Sequence, residues 1–348
     1  MADVLFAYRS PELPKGGNLS GRVEIFDMLR EHDLNPLVSL GVKTTFTADG
    51  GVEVHNLISE TSTEYAGRTA LSGIGLIVNR WDRSIKKEDL PDGTILPPVI
   101  NASATRSLAF RKNRMHSEVL EPLGVYIPTV FPQMLADIET FLEEQTAENF
   151  IVKPNSGTNG IGLQKIERTD VATLFNADPS LFGTQILQPA YDFTAPFEAG
   201  IKPYDAASAE ELEGWNKAGK TKEVRVYGFH SPEVTTVFPV GRALDSDGDH
   251  WLFVDPESVP AYLLEHTAQA MRKVSEVSGA AAVLGTVDYG YGRLADEPLG
   301  WVPIEVNAKS PYLIGYDKHP GVAKDLRVLL TRQIAETVAA THVTGMVH

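Results

Sequence analysis

Three short stretches carry residues that could do chemistry together. Lys153 ends the apolar run Phe150-Ile151-Val152 and leads through Pro154 and Asn155 into Ser156-Gly157-Thr158-Asn159-Gly160-Ile161-Gly162. Apolar residues resume at Leu163 and Ile166, so the pattern predicts strand, loop, strand. Glycines let backbone N–H groups turn toward an anion with no Cβ in the way, and lysine adds a compact positive charge. Taken alone, the same stretch is equally an ordinary Gly-rich hairpin with an exposed lysine. Far downstream, Glu305 and Asn307 stand two apart on a predicted strand and share a face, while Ile304 and Val306 point the other way. Asp288 lies on the preceding predicted strand. Three hard oxygen donors on adjacent strands suit magnesium, which prefers carboxylates plus phosphates to an all-protein cage. Acids that pair with lysines or face water are the commoner outcome for an isolated Glu-x-Asn. Arg225 and Arg242 fall on predicted strands between the lysine loop and the acids, and Arg225 alternates in phase with Glu223 and Tyr227. A surface charge is the usual fate of an arginine. Facing a cleft, its planar fork could grip a phosphoryl or carboxylate oxygen.

These residues need a scaffold, and the pattern around them supplies one. Val4 to Ala7, Leu37 to Leu40, Ile74 to Val78 and Val99-Ile100 read as strands, with a helix capped by Ser20 and apolar at Val23, Phe26 and Leu29. Thr45 to Val54 reads as a hairpin over Asp49-Gly50-Gly51. The alternation predicts a parallel, helix-flanked sheet. Helices are expected at Thr105 to Glu121 and Leu135 to Glu144, then the Phe150 to Ile166 hairpin and a strand at Gln185 to Gln188. Residues 191–222 are rich in Pro, Gly and small residues and read as a long insertion with a short helix near Glu210 to Lys217, a lid over a substrate. Strands follow at Glu223 to Phe229, Val234 to Val240 and Trp251 to Val254, a helix at Pro260 to Ser278, strands at Gly285 to Tyr291 and Trp301 to Asn307, and a closing helix at Val322 to Val338.

A chain of 348 residues exceeds one ordinary core, so two or three subdomains are expected. The net charge of -15 disfavours nucleic acid and anionic lipid as partners, so any bound phosphate must be held by local positive charge. The absence of cysteine excludes thiolate nucleophiles, thiolate zinc sites and disulfides. Met1-Ala2-Asp3 does not begin a signal peptide, and runs such as Gly279 to Gly285 are too short to span a bilayer, so a cytoplasmic protein without membrane contact is expected.

In order along the chain, these features resemble the ATP-grasp ligases, nearest to the branch of ribosomal-protein glutamate ligases and glutathione synthetase. The resemblance implies an α/β (α+β) fold with an N-terminal parallel α/β domain at 1–104, a central lid subdomain at 105–190 and a C-terminal subdomain at 191–348, the last two clasping ATP. It implies that Lys153 with Ser156, Gly157, Asn159 and Gly160 holds the phosphates, that Gln185 to Ala190 is the hinge reading adenine, with Gln185 and Gln188 on it, and that Asp192 takes the ribose. Asp288, Glu305 and Asn307 would hold Mg2+ (or Mn2+), and Arg225, with Arg242 second, would act in catalysis. A second phosphate lysine is expected on the preceding helix; among Arg111, Lys112 and Arg114 the choice is Lys112. Lys309 and Arg9 are offered for substrate; His319 reads as an exposed turn residue. The long 191–222 insertion, Lys309 and the unfixed second lysine depart from the family's pattern. The activity implied is amide or peptide bond formation between a small-molecule carboxylate and an amine, amino acids or a peptide among them, through an acyl phosphate, releasing ADP and phosphate. A kinase acting on a hydroxyl and a nucleotide-binding regulator without turnover are the alternatives. Many relatives pair, which implies a homodimer.

Overall fold

The structure, a computed structural model, describes residues 2–7, 20–40, 51–59, 62–79, 97–156, 162–194, 200–232, 235–245, 248–294, 298–308 and 320–345. Its first sheet is built from β1 (Ala2–Ala7), α1 (Ser20–Glu31), β2 (Leu34–Ser39), β3 (Gly51–Ser59), β4 (Ser62–Ala70), β5 (Ile74–Asn79) and β6 (Val99–Ile100), in the strand order β4-β3-β2-β1-β5-β6. β2, β1, β5 and β6 run parallel, as the sequence predicts. β3 and β4 pair antiparallel, whereas residues 45–50 of the hairpin expected at Thr45 to Val54 lie outside the described residues. β4 carries the polar string Ser62-Thr63-Glu64-Tyr65 and is exposed along most of its length, so no apolar alternation marked it. Ile25, Phe26 and Leu29 of α1 are buried against this sheet, each contributing roughly 1.5–3 kcal/mol of apolar burial.

The second layer follows as α2 (Ser103–Ala109), α3 (Lys112–Met115), α4 (Leu135–Glu144), β7 (Asn149–Pro154), β8 (Gln164–Glu167), α5 (Arg168–Ala177) and β9 (Gln185–Pro189). The single helix expected over Thr105 to Glu121 is broken at Phe110 and Arg111, and continues past α3 as a π-helical turn at His116–Leu120. Gly124, at φ 73°, ends it. β8, β7 and β9 form a small antiparallel sheet. Ile138, Phe141, Phe150, Val171 and Phe175 make one core beneath it. The sequence reading assigned no element to α5, although Val171 and Phe175 stand at helical spacing.

The C-terminal part is α6 (Ala206–Lys217), β10 (Thr221–His230), β11 (Thr235–Asp245), β12 (Gly248–Leu252), α7 (Ala261–Ser278), β13 (Val283–Gly292), β14 (Gly300–Asn307) and α8 (Pro320–Gly345). The strands form an antiparallel sheet of order β12-β11-β10-β13-β14. α7 buries Leu263, His266, Thr267, Ala270, Met271 and Val274 at helical spacing on one face of it. The approach is close because β10 and β13 offer glycine there: a Cβ at Gly228 would meet Met271 at 2.5 Å, and one at Gly285 at 2.7 Å. The described part of the 191–222 insertion carries α6, which contains the short helix expected near Glu210 to Lys217. Asp205 caps α6, Leu212 and Trp215 enter the same core as α7, and Tyr204 N–H donates to the Phe253 carbonyl at 3.0 Å.

Candidate functional site

Two walls meet at a cleft of about 400 Å3, open mouth included, between the small sheet and the edge of the C-terminal sheet. Lys153 comes from β7, where it pairs with Ile186 of β9. Lys112 comes from α3, which is tied to the lysine strand by Asn155. The Lys112 N–H donates to the Asn155 carbonyl at 2.9 Å, and the Asn113 N–H to Asn155 Oδ1 at 2.8 Å. One asparagine therefore fixes both lysines relative to each other. His116, four residues past Lys112 and so on the same helical face, also lines the cleft, edge-on to Tyr126. Gln188 of β9 is buried there, its amide donating to Thr129 Oγ1 at 2.6 Å.

Glu305 lines the opposite wall, with Lys112 Nζ 3.7 Å from its carboxylate. Asp288 is its cross-strand partner on β13, and Arg225 on β10 is the partner of Asp288. The Arg225 guanidinium donates two bonds of 2.6 Å to the two Asp288 oxygens, in the bidentate geometry that fixes a carboxylate most firmly. Asn307 donates to Asp288 Oδ2 at 3.2 Å. Among the described residues no three His, Cys, Asp or Glu side chains gather as a metal cage. The centre is instead two carboxylates and an amide on adjacent strands, a hard-oxygen donor set that fits a magnesium ion whose shell phosphates complete. A carboxylate held by one arginine keeps lone pairs for a cation.

Burial pushes the Lys153 ammonium down to about 8; Glu305 holds it up, Lys112 opposes it by like charge, and Glu223 helps hold it up. Burial, then the Lys153 charge, drives His116 down to about 4, so its ring is neutral. For Arg225, burial opposes the charge, but Asp288 outweighs it and raises the pKa above the ordinary arginine value.

The structure thus brings Lys112, Lys153, Gln188 and Glu305 to one cleft, with Asp288, Asn307 and Arg225 on the strands beside it. Of the three basic residues considered on the helix, Arg114 is spent on Glu118 of its own turn, at 2.8 Å from Nη2 to Oε2. Ser156 is exposed, and Gln185 stands at the end of β9 opposite Pro154. Asp192 is not among the residues lining the cleft: its carboxylate accepts from the Thr194 N–H at 3.0 Å and the Thr194 hydroxyl at 2.7 Å. Arg242 pairs in register with Glu223. Gly157, Asn159, Gly160, Lys309, Arg9 and His319 lie outside the described residues. Sequence reasoning missed His116 and Asn155. The spacing from Lys112 could have found the first; nothing local marks the second.

No family model and no curated protein matches the sequence. Solved structures do match its fold over nearly the whole chain. The D-cycloserine synthetase DcsG is 17% identical with a TM-score of 0.55, covering 97% of this chain and 100% of its own. A Chryseobacterium gregarium ATP-grasp ligase, in complex with ADP and a leader and core peptide, is 12% identical with a TM-score of 0.55, covering 98% and 97%. D-alanyl-alanine synthetase A from Vibrio cholerae is 11% identical with a TM-score of 0.54, covering 98% of each chain. What is shared at this identity is the ATP-grasp fold.

Proposed function

We propose that the chain is an ATP-dependent carboxylate–amine ligase, using Mg2+ or Mn2+ and joining a small-molecule or peptide carboxylate to an amine. The observation that carries this reading is the cleft itself: two lysines from one wall face Glu305 from the other, with Asp288 and Arg225 beside it. That the solved structures of like fold are named as ligases and synthetases, one of them in complex with ADP, supports it.

Lys153 and Lys112 hold the nucleotide phosphates, and the neutral His116 and Gln188 line the same cleft without adding charge. Asp288, Glu305 and Asn307 would hold the divalent ion, which when bound neutralises charge on the phosphates. Arg225 orients Asp288 and places positive charge at the floor of the site, where the transferred phosphoryl group and the later tetrahedral oxyanion need it. The chain's work is positioning and electrostatics: the substrate carboxylate attacks the terminal phosphate, and the amine then displaces phosphate from the acyl phosphate.

Incubation with ATP, magnesium and pooled carboxylic and amino acids, followed by mass spectrometry, tests the reading. ADP, free phosphate and an amide product are expected, and Lys153→Ala or Glu305→Ala abolishes them with the fold intact. A stable phosphoester in place of the amide would make the protein a kinase; ATP binding without ADP release would make it a regulator.

A further inference from the structure

Strand phase lays the floor of the cleft out in rows. Arg225 of β10, Asp288 of β13 and Glu305 of β14 stand in register, and the next row along is Tyr227, Thr286 and Asn307. Opposed residues of an antiparallel pair share a face, so Thr286 belongs to the cleft face with Asp288. Gly285 and Val287, on either side of it in sequence, turn instead to the core under α7. Thr286 differs from its neighbours in one respect. Arg225 and Asp288 bond each other, Glu305 has Lys112, and Asn307 has Asp288. Thr286 is fully buried, and its Oγ1 has no hydrogen-bond partner among the described residues. A buried hydroxyl without a partner forfeits its bonds to water, so valine would serve a purely structural role better there.

Asn307 is the residue directly opposite Thr286, and side chains opposed in this way sit about 4.5–5.5 Å apart at Cβ. From that position the Asn307 side chain leans diagonally to Asp288, and its amide nitrogen donates to Oδ2 at 3.2 Å. This orientation matches the carboxylate, which only accepts. A divalent ion makes the opposite demand, because it takes an amide by its carbonyl oxygen. For Asn307 to serve the ion the amide must turn over, and its nitrogen then needs another acceptor. Asp288 and Glu305 give their oxygens to the ion in that arrangement. Thr286 Oγ1, beside the amide and unused, is the acceptor left on this face.

We propose that Thr286 is a positioning residue of the metal site: its hydroxyl oxygen accepts from Asn307 Nδ2 and holds that amide with its carbonyl oxygen toward the ion. The proposal rests on the ligase reading above, in which Asp288, Glu305 and Asn307 hold Mg2+ or Mn2+, and goes beyond it by assigning the residue that orients the third ligand. Partners behind a metal ligand act by fixing its orientation, and losing one costs about 10–100-fold in metal affinity. Thr286 touches neither the ion nor the nucleotide in this role; it acts through Asn307.

Metal binding and stability, measured apart, test it. Mn2+ is titrated into the chain in the presence of ADP, and the free ion is read from its paramagnetic resonance signal. Thermal unfolding is followed separately in chelator. Thr286→Val removes the hydroxyl at nearly constant volume, and Thr286→Ser keeps it. Thr286→Val is expected to weaken Mn2+ binding by about 10–100-fold, and Thr286→Ser to keep the parent affinity. In chelator, Thr286→Val should unfold at or above the parent temperature, since the hydroxyl it loses leaves no partner stranded. On an Asn307→Ala background, Thr286→Val should add no further loss, because the amide it acts through is gone. Unchanged Mn2+ affinity in Thr286→Val overturns the assignment, as does a loss shared by Thr286→Ser or one that persists on the Asn307→Ala background. A lower unfolding temperature for Thr286→Val in chelator would show the hydroxyl bonded within the fold, and overturns it too. Each of these results leaves the ligase reading standing. Failure of the parent chain to bind Mn2+ with ADP, or an affinity indifferent to Glu305→Gln, overturns the metal site of that reading and the role of Thr286 with it.

Discussion

Asp288 and Tyr289 are neighbours on β13, 3% and 0% exposed, yet they face opposite worlds. Tyr289 points into the core under α7. Its hydroxyl meets His266 Nδ1 at 2.7 Å, Thr267 Oγ1 at 2.9 Å and the Leu263 carbonyl at 3.3 Å, a neutral set satisfied by the helix that covers it. Asp288 points to the cleft and is met by a full positive charge. Equal burial is thus reached by two strategies. The core face hides polarity by neutral hydrogen bonds that pin α7. The cleft face buries formal charge, which is seldom worthwhile for stability alone because desolvation consumes most of the attraction.

The comparison can be broken at several points. The largest effect is expected for Asp288→Ala, which strands the Arg225 charge: urea unfolding should show a loss of roughly 3–5 kcal/mol, and ATP turnover should vanish. A loss under about 1 kcal/mol would mean the guanidinium does not depend on Asp288. On the core face, Tyr289→Phe removes one hydroxyl and leaves its partners unmatched. A destabilisation of about 1–3 kcal/mol is expected, with ADP formation per folded molecule retained; a selective loss of turnover would show that the two faces are not separate.

Titration sharpens the contrast. Burial drives His266 from the ordinary 6.5 down to about 4. Between those values the unfolded chain takes up a proton that the folded chain refuses, so stability falls as pH drops through this window and is full above it. The slope contributed is at most about 1.4 kcal/mol per pH unit. Replacing His266 by Gln should flatten the denaturation midpoint against pH between 6.5 and 4; an unchanged slope would place the proton elsewhere. Smallest in stability is Lys112→Met. Its contact with Glu305 is long and partly solvated, so unfolding should move by less than about 1 kcal/mol, while ATP affinity measured by calorimetry drops.

Regular elements with one buried face were legible before any coordinates. Leu135–Glu144 and the β7–β8 hairpin stand where the spacing put them, and Glu305 and Asn307 share a face because a strand's period is two. Elements whose stability comes from elsewhere were not. The polar β4 is held by pairing with β3, the Thr105 to Glu121 helix breaks where Asn155 captures its backbone N–H groups, and the insertion docks because Leu212 and Trp215 reach a core that is remote in sequence.

By itself, the sequence determined which charged residues the strands carry and the order in which the strands present them, because residue type and strand period are local properties. Only the tertiary structure decided that Lys112 and not Arg114 reaches the acids and that Asp288 is clasped by Arg225. Those facts depend on which segments meet in space, and helix breaks, hydrogen bonds and buried charge settle that jointly.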